Sequence, residues 1–228
     1  MRNLWRSKTS TKSNFSKPLS RRQAIRLVET SYLAAASALI WIALYYLPIG
    51  GALFRLALPL PLALLQVRRG PSSGLEGACL LVFLLIALMG PIRGPLVLFP
   101  YGFLSLWLGW SWFRGVSWWL SWGVGALIGT TGFLIRVFLL SLLVGENLWI
   151  VVLRAGSLLI ERGTALFDLA FVPDLFFVQI VALLLVIFQE LIFVLTLHAV
   201  AFWIFPKLQA RVPLPPRVLN NLILWDPT

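Results

Sequence analysis

Six long apolar runs, separated by helix breakers or basic residues, constrain this chain more than any other feature. A helix that crosses a bilayer needs roughly 20 consecutive apolar residues, and runs approaching or exceeding that length recur from Tyr32 to Phe205. The first, about Tyr32 to Tyr46, stops at the turn Pro48-Ile49-Gly50-Gly51. The second, about Ala52 to Val67, contains Pro59 and Pro61, which predict a kinked or partly unwound helix. The third, about Leu75 to Met89, ends at Gly90-Pro91; the fourth and fifth run from about Pro95 to Trp112 and from about Ser117 to Val144. The sixth, about Leu175 to Phe205, is long enough to tilt. The expected fold is all-α and integral to the membrane, a bundle of six transmembrane helices. With 60% hydrophobic and 12% charged residues and a mean hydropathy of +0.91, a soluble globular class is excluded.

Nineteen Lys and Arg stand against eight Asp and Glu, a balance of +11. Nucleic acid is not the implied partner, because the excess sits at membrane flanks. With the N-terminus inside, alternate loops place fourteen Lys and Arg on the inner side: eight in the first 26 residues, then Arg68, Arg69, Arg114, Lys207, Arg211 and Arg217. The outer side receives four, Arg55, Arg93, Arg154 and Arg162. That asymmetry satisfies the positive-inside rule and predicts that both termini are cytoplasmic. Residues 1–28 then form a basic cytoplasmic tail, although its Ser and Thr content also suits a transit peptide. Residues 29–206 form the bundle and residues 207–228 a short cytoplasmic tail. The plasma membrane and the thylakoid membrane both fit. Cys79, in an apolar run, is expected to be a small core residue, and a single cysteine excludes an internal disulfide.

Between the fifth and sixth runs, residues 146–171 have a different pattern. Glu146, Asn147, Arg154, Ser157, Glu161, Thr164 and Asp168 fall within about 100° of a helical wheel, and apolar residues fill the rest. An additional amphipathic helix lying in the outer interface is preferred, because four charges are expensive in a lipid-bounded helix. The alternative is a seventh span with its polar stripe facing a cavity.

The stretch Gly123 to Arg136 carries the most specific packing signal. Gly125 and Gly129 are four apart, Gly132 follows, and Arg136 returns to within about 20° of Gly125 at about 100° per residue. Small residues at this spacing allow a close helix approach, and a charge at the end of the seam needs a partner or water. The nearest acid on a facing span is Glu190, so an Arg136–Glu190 pair is expected. Ala34 and Ala38 make a second small face on the first span, and Pro48, Gly50, Gly51, Pro59 and Pro61 supply hinges near it. The intramembrane polar candidates are Arg136, Gln179, Gln189, Glu190 and His198, with His198 expected to hydrogen-bond a carbonyl near the inner interface. Six tryptophans, Trp107, Trp110, Trp112, Trp118, Trp119 and Trp122, surround Arg114 and read as an aromatic belt. One histidine and no phosphate-binding glycine loop leave no catalytic set, no metal site and no cofactor to expect.

The order of motifs, with Pro48-Ile49-Gly50-Gly51, Pro59-Leu60-Pro61-Leu62, Arg68-Arg69-Gly70, Gly90-Pro91 and then two glycine-bearing spans, resembles the YybS-like family of predicted membrane proteins. That family is distantly similar to the substrate-binding S components of energy-coupling-factor transporters. The tryptophan density is similar to that of cyanobacterial members. The resemblance implies six helices with both termini inside, and a small-molecule-binding bundle that works with membrane partner subunits. It also implies that Ala34 and Ala38 match the small residues through which S components dock. A non-catalytic scaffold or assembly factor that binds another membrane complex is the alternative.

Overall fold

In a computed structural model, residues 20–166, 174–210, 212–214 and 216 are described, and they form eight helices with no strand. The helices are α1 (Arg21–Tyr46), α2 (Gly51–Ala57), α3 (Leu60–Arg69), α4 (Pro71–Met89), α5 (Tyr101–Arg114), α6 (Trp118–Val144), α7 (Trp149–Leu166) and α8 (Leu175–Ile204). Short 3-10 turns at Pro95–Leu98 and Pro206–Leu208 precede α5 and follow α8. Arg2, Arg6, Lys8, Lys12, Lys17, Asp168, Arg211 and Arg217 lie outside the described residues.

Local chemistry sets the helix ends. Ser20 and Gln23 form a reciprocal capping box at the start of α1: the Gln23 N–H donates to Ser20 Oγ (3.3 Å), and the Ser20 N–H donates to Gln23 Oε1 (3.0 Å). Asp174 caps α8 by accepting from the Phe177 N–H at 3.0 Å. Gly115 and Gly145 end α5 and α6 in left-handed conformations that side chains resist. The helix of the second apolar run is interrupted at Leu58 and Pro59, where α2 gives way to α3.

Five helices are long and apolar enough to cross a membrane: α1, α2 and α3 taken together, α4, α6 and α8. The fourth apolar run does not form one long helix. It divides into the turn at Pro95–Leu98 and the 14-residue α5, because Pro95 and Pro100 interrupt the backbone donors needed to join them.

Helix α3 is the axis of one half of the molecule. Leu62, Ala63, Leu64, Leu65 and Gln66 are all buried, which requires neighbours on every side. Helices α1, α4 and α5 supply them. Glycines let them come close: a Cβ on Gly109 of α5 would lie 3.0 Å from Ala63 Cα, and one on Gly77 of α4 would lie 2.7 Å from Leu65 Cδ2. These inward small residues turn Cys79 outward. It is exposed on the surface of α4, not in the core as expected, because it stands one residue, about 100°, past buried Ala78.

Helices α6 and α8 make the other half and run antiparallel. Gly125 faces Val194, Gly129 faces Glu190, and Ser121 meets His198, so numbers rise on one helix as they fall on the other. The glycine seam is thus filled within the chain, and its third member, Gly132, lies against Pro100 at the start of α5. Ala34 and Ala38 are also consumed internally, at 0% and 3% exposure. The face they form is covered by the bundle itself and is not open to a foreign helix. Helix α7 folds back along the first half of α8: Gly156 packs on Ala182, while Val151 and Val152 share a cavity with Leu185, Val186 and Gln189. Arg154 and Glu161 of α7 are exposed.

At one end of the bundle, which is called here the basic end, ion pairs tie α1 to α3 and α4. Glu29 accepts from both Arg68 (2.8 Å) and Arg69, and Arg26 pairs with Glu76.

Candidate functional site

A cavity of about 250 Å³ opens between α2, α5, α6 and α8, toward the end opposite the basic one. Its charged and polar wall is Arg55, Tyr101, Arg136, Gln189 and Glu190, with Phe133 and Phe193 as apolar neighbours. Each arrives for a local reason. The break at Pro59 ends α2 early and leaves Arg55 over the cavity. Pro100 starts α5 so that Tyr101 is its first residue, and the α6 seam brings α8 close enough to hold Glu190 beside Gly129.

Glu190 is 5% exposed and lies near the middle of α8, roughly 21 Å from its C-terminal end. A Cβ on Gly129 would collide with its carboxylate, which would have to shift aside. Its Oε2 has no hydrogen-bond partner among the described residues. A buried acceptor without a donor is costly and calls for a partner.

Arg136 is held by aromatic groups. Its Nη2 donates to the Tyr45 hydroxyl at 3.2 Å, and its guanidinium carbon stands 5.2 Å from the Trp41 ring centre and 5.8 Å from that of Tyr101. These distances are within the range of cation–π attraction. The expected ion pair with Glu190 is therefore not formed: among the described residues the ion pairs are the three of the basic end, and Arg136 and Glu190 instead face one shared space. Arg55 lines the same cavity as Glu190. The charge count assigns Arg55 to the outer side, and hydropathy gives no site role to Trp41, Tyr45 or Tyr101. The available signal was the i, i+4 spacing of Trp41 and Tyr45, which puts both on one face of α1.

The other candidates separate. Gln189 lines the cavity, whereas Gln179 is exposed, ten residues earlier on α8. His198 is fully buried near the basic end, away from this cavity. Its Nδ1 contacts the Val194 carbonyl oxygen at 2.8 Å, and because a carbonyl only accepts, Nδ1 carries the proton. Its Nε2 lies 3.0 Å from Ser121 Oγ, which is 2.7 Å from Ser111 Oγ. Trp112 and Trp118 enclose the imidazole edge-on, so two of the six clustered tryptophans line the interior and do not join a belt. Trp107 and Trp122 donate to the Ser121 and Leu191 carbonyls at 3.1 and 2.8 Å. Replacing His198 by Ala takes the Nε2 acceptor from the buried Ser121 hydroxyl, which keeps only its contact with Ser111, and is expected to cost about 2 kcal/mol. Thermal unfolding in detergent checks this, and His198→Asn should recover part of the loss.

Fold and site together define a helical, polytopic membrane protein with a small charged cavity inside the bundle. The chain belongs to the DUF2232 family of predicted membrane proteins, which matches residues 34–167, more than half of its length. No curated protein and no solved structure matches it.

Proposed function

We propose that this chain is the small-molecule-binding bundle of a transport system, similar in kind to an S component and working with partner subunits. The observation that carries this reading is the orphaned Oε2 of Glu190 in a cavity that also holds two arginines. A bound molecule that donates a hydrogen bond to Glu190 and presents an acidic group to Arg55 or Arg136 would complete every charge there. An acidic or amphoteric metabolite of modest size fits that chemistry and volume.

The topology we assign has six crossings, with α2 and α3 as one and Pro95–Arg114 as another, and both termini cytoplasmic. The gathering of Arg26, Arg68, Arg69 and Arg114 at one end supports this orientation. Helix α8, at 30 residues, is roughly 45 Å long and exceeds a hydrocarbon core of about 30 Å. An interfacial place on the outer side is assigned to α7, whose Arg154 and Glu161 are exposed. The proposed role is non-enzymatic. The Ala34 and Ala38 face and the glycine seam are occupied within the chain, so they serve neither as an S-component dock nor as a scaffold's binding face, and a partner would meet other surfaces.

The test is a ligand-dependent thermal shift of the detergent-purified protein across a panel of vitamins and metabolites. At least one compound is expected to raise the unfolding midpoint by several degrees, with the rise abolished in Glu190→Gln and Arg136→Gln. No shift across the panel, together with no co-purifying small molecule, would overturn the reading.

A further inference from the structure

A second cavity, of about 820 Å³, lies at the basic end, where the last turns of α3 and α5 meet the segment that follows α8. Arg68, Arg69 and Arg114 line it together with Trp112, Phe113 and Gln209, and among the described residues no acid contributes to its wall. Glu29 lies behind and is divided between Arg68 and Arg69. Two of the three guanidinium groups thus share one carboxylate, and Arg114 has no ion pair among the described residues.

We propose that this cavity binds a phosphate-bearing anion, with Arg114 and the free donors of Arg68 and Arg69 on the phosphate oxygens. Guanidinium groups match phosphate through two parallel N–H donors, and three in one concave space exceed what a topology signal requires, since that signal is met equally by charges spread round the perimeter. Basic pockets between helix ends at a membrane surface have the chemistry for an anionic headgroup. The remaining wall suits the rest of such a molecule. Val67, Phe113, Val212 and Pro213 are apolar, and Trp112, 3% exposed, keeps an indole N–H with no hydrogen-bond partner among the described residues. The far wall is fixed by the backbone turn in which the Ala210 N–H donates to the Phe205 carbonyl at 2.9 Å, with Gln209 left-handed at φ 58°. A bound phosphate would tie the ends of three helices that otherwise meet there with excess positive charge. This site does not depend on the outer cavity or its ligand.

The phosphate has two sources, a lipid headgroup or a soluble phosphate ester, and the experiment separates them. The full chain is placed in nanodiscs of equal phosphatidylglycerol and phosphatidylcholine, and retained lipid is counted by native mass spectrometry. In a second arm, lipid-depleted protein in detergent is titrated with glycerol 3-phosphate while its thermal midpoint is followed. At least fivefold preference for phosphatidylglycerol is expected, falling below twofold in Arg114→Gln and to an intermediate value in Arg114→Lys, which keeps the charge but loses the fork. Arg93→Gln, in an exposed turn at the other end, should behave as the wild type. A midpoint rise with glycerol 3-phosphate that needs Arg114 assigns the soluble source, and its absence beside the lipid preference assigns the headgroup. The proposal falls if neither probe binds in an Arg114-dependent way, or if Arg93→Gln loses as much as Arg114→Gln.

Discussion

Trp41→Ala is expected to destabilise the protein by about 3–5 kcal/mol, the range for removing a fully buried large aromatic side chain. Trp41 is 0% exposed and sits among Ala38, Leu58, Leu62, Leu81 and Tyr101. Its ring meets Tyr45 and Tyr101 edge-on, with centroids 5.0 and 5.9 Å away. The same ring lies closer than that of Tyr101 to the Arg136 guanidinium. Its loss therefore opens a void and releases one side of the cavity's arginine. Thermal unfolding should show the stability loss. Any ligand found for the cavity should also bind less tightly to Trp41→Phe, which retains most of the packing but weakens the cation–π contact. An unchanged midpoint in Trp41→Ala would show that α1 does not pack as described.

Gly132→Val is expected to be nearly as damaging, at about 3 kcal/mol, through overpacking. A Cβ at this position would stand 2.7 Å from Pro100 Cα, and backbone cannot move aside as a side chain tip can. The displaced segment leads directly into Tyr101, so the damage should spread to the charged cavity. Gly123→Ala is the control within the same helix. No atom lies within 4 Å of its added methyl, so stability should be unchanged or slightly raised. Equal losses for the two variants would mean that helix propensity, and not the seam, governs α6.

The seam shows how far the residues alone could lead. Gly125, Gly129 and Gly132 were legible as a close-packing face because helical periodicity is a local property. The partners on that face were not, since two of them are on α8 and the third is a proline preceding α5. Glu190 and Arg136 were legible as costly intramembrane charges for the same local reason. Their relation was misread, because an acid and a base at similar depth suggest a pair until the rotation of each helix is known. Trp41, Tyr45 and Tyr101 take the arginine instead, and Arg55 enters from a helix broken at Pro59. Cys79 shows the same limit in reverse: its apolar run pointed to the core, yet the run is apolar on all sides because lipid covers the face that protein does not.

The sequence by itself determined that this protein is a bundle of apolar helices in a membrane, that the second run breaks at its prolines, and which end gathers the positive charge. These follow from the length of the apolar runs, from the backbone chemistry of proline and glycine, and from charge position along the chain. Only the tertiary structure decided which faces meet, that Glu190 keeps an unanswered oxygen beside two arginines, and that three more arginines share a cavity at the basic end. The physical reason is that lipid and protein interior are equally apolar. Hydropathy therefore does not distinguish a helix face that packs from one that faces the bilayer, and contact between the faces is settled by shape.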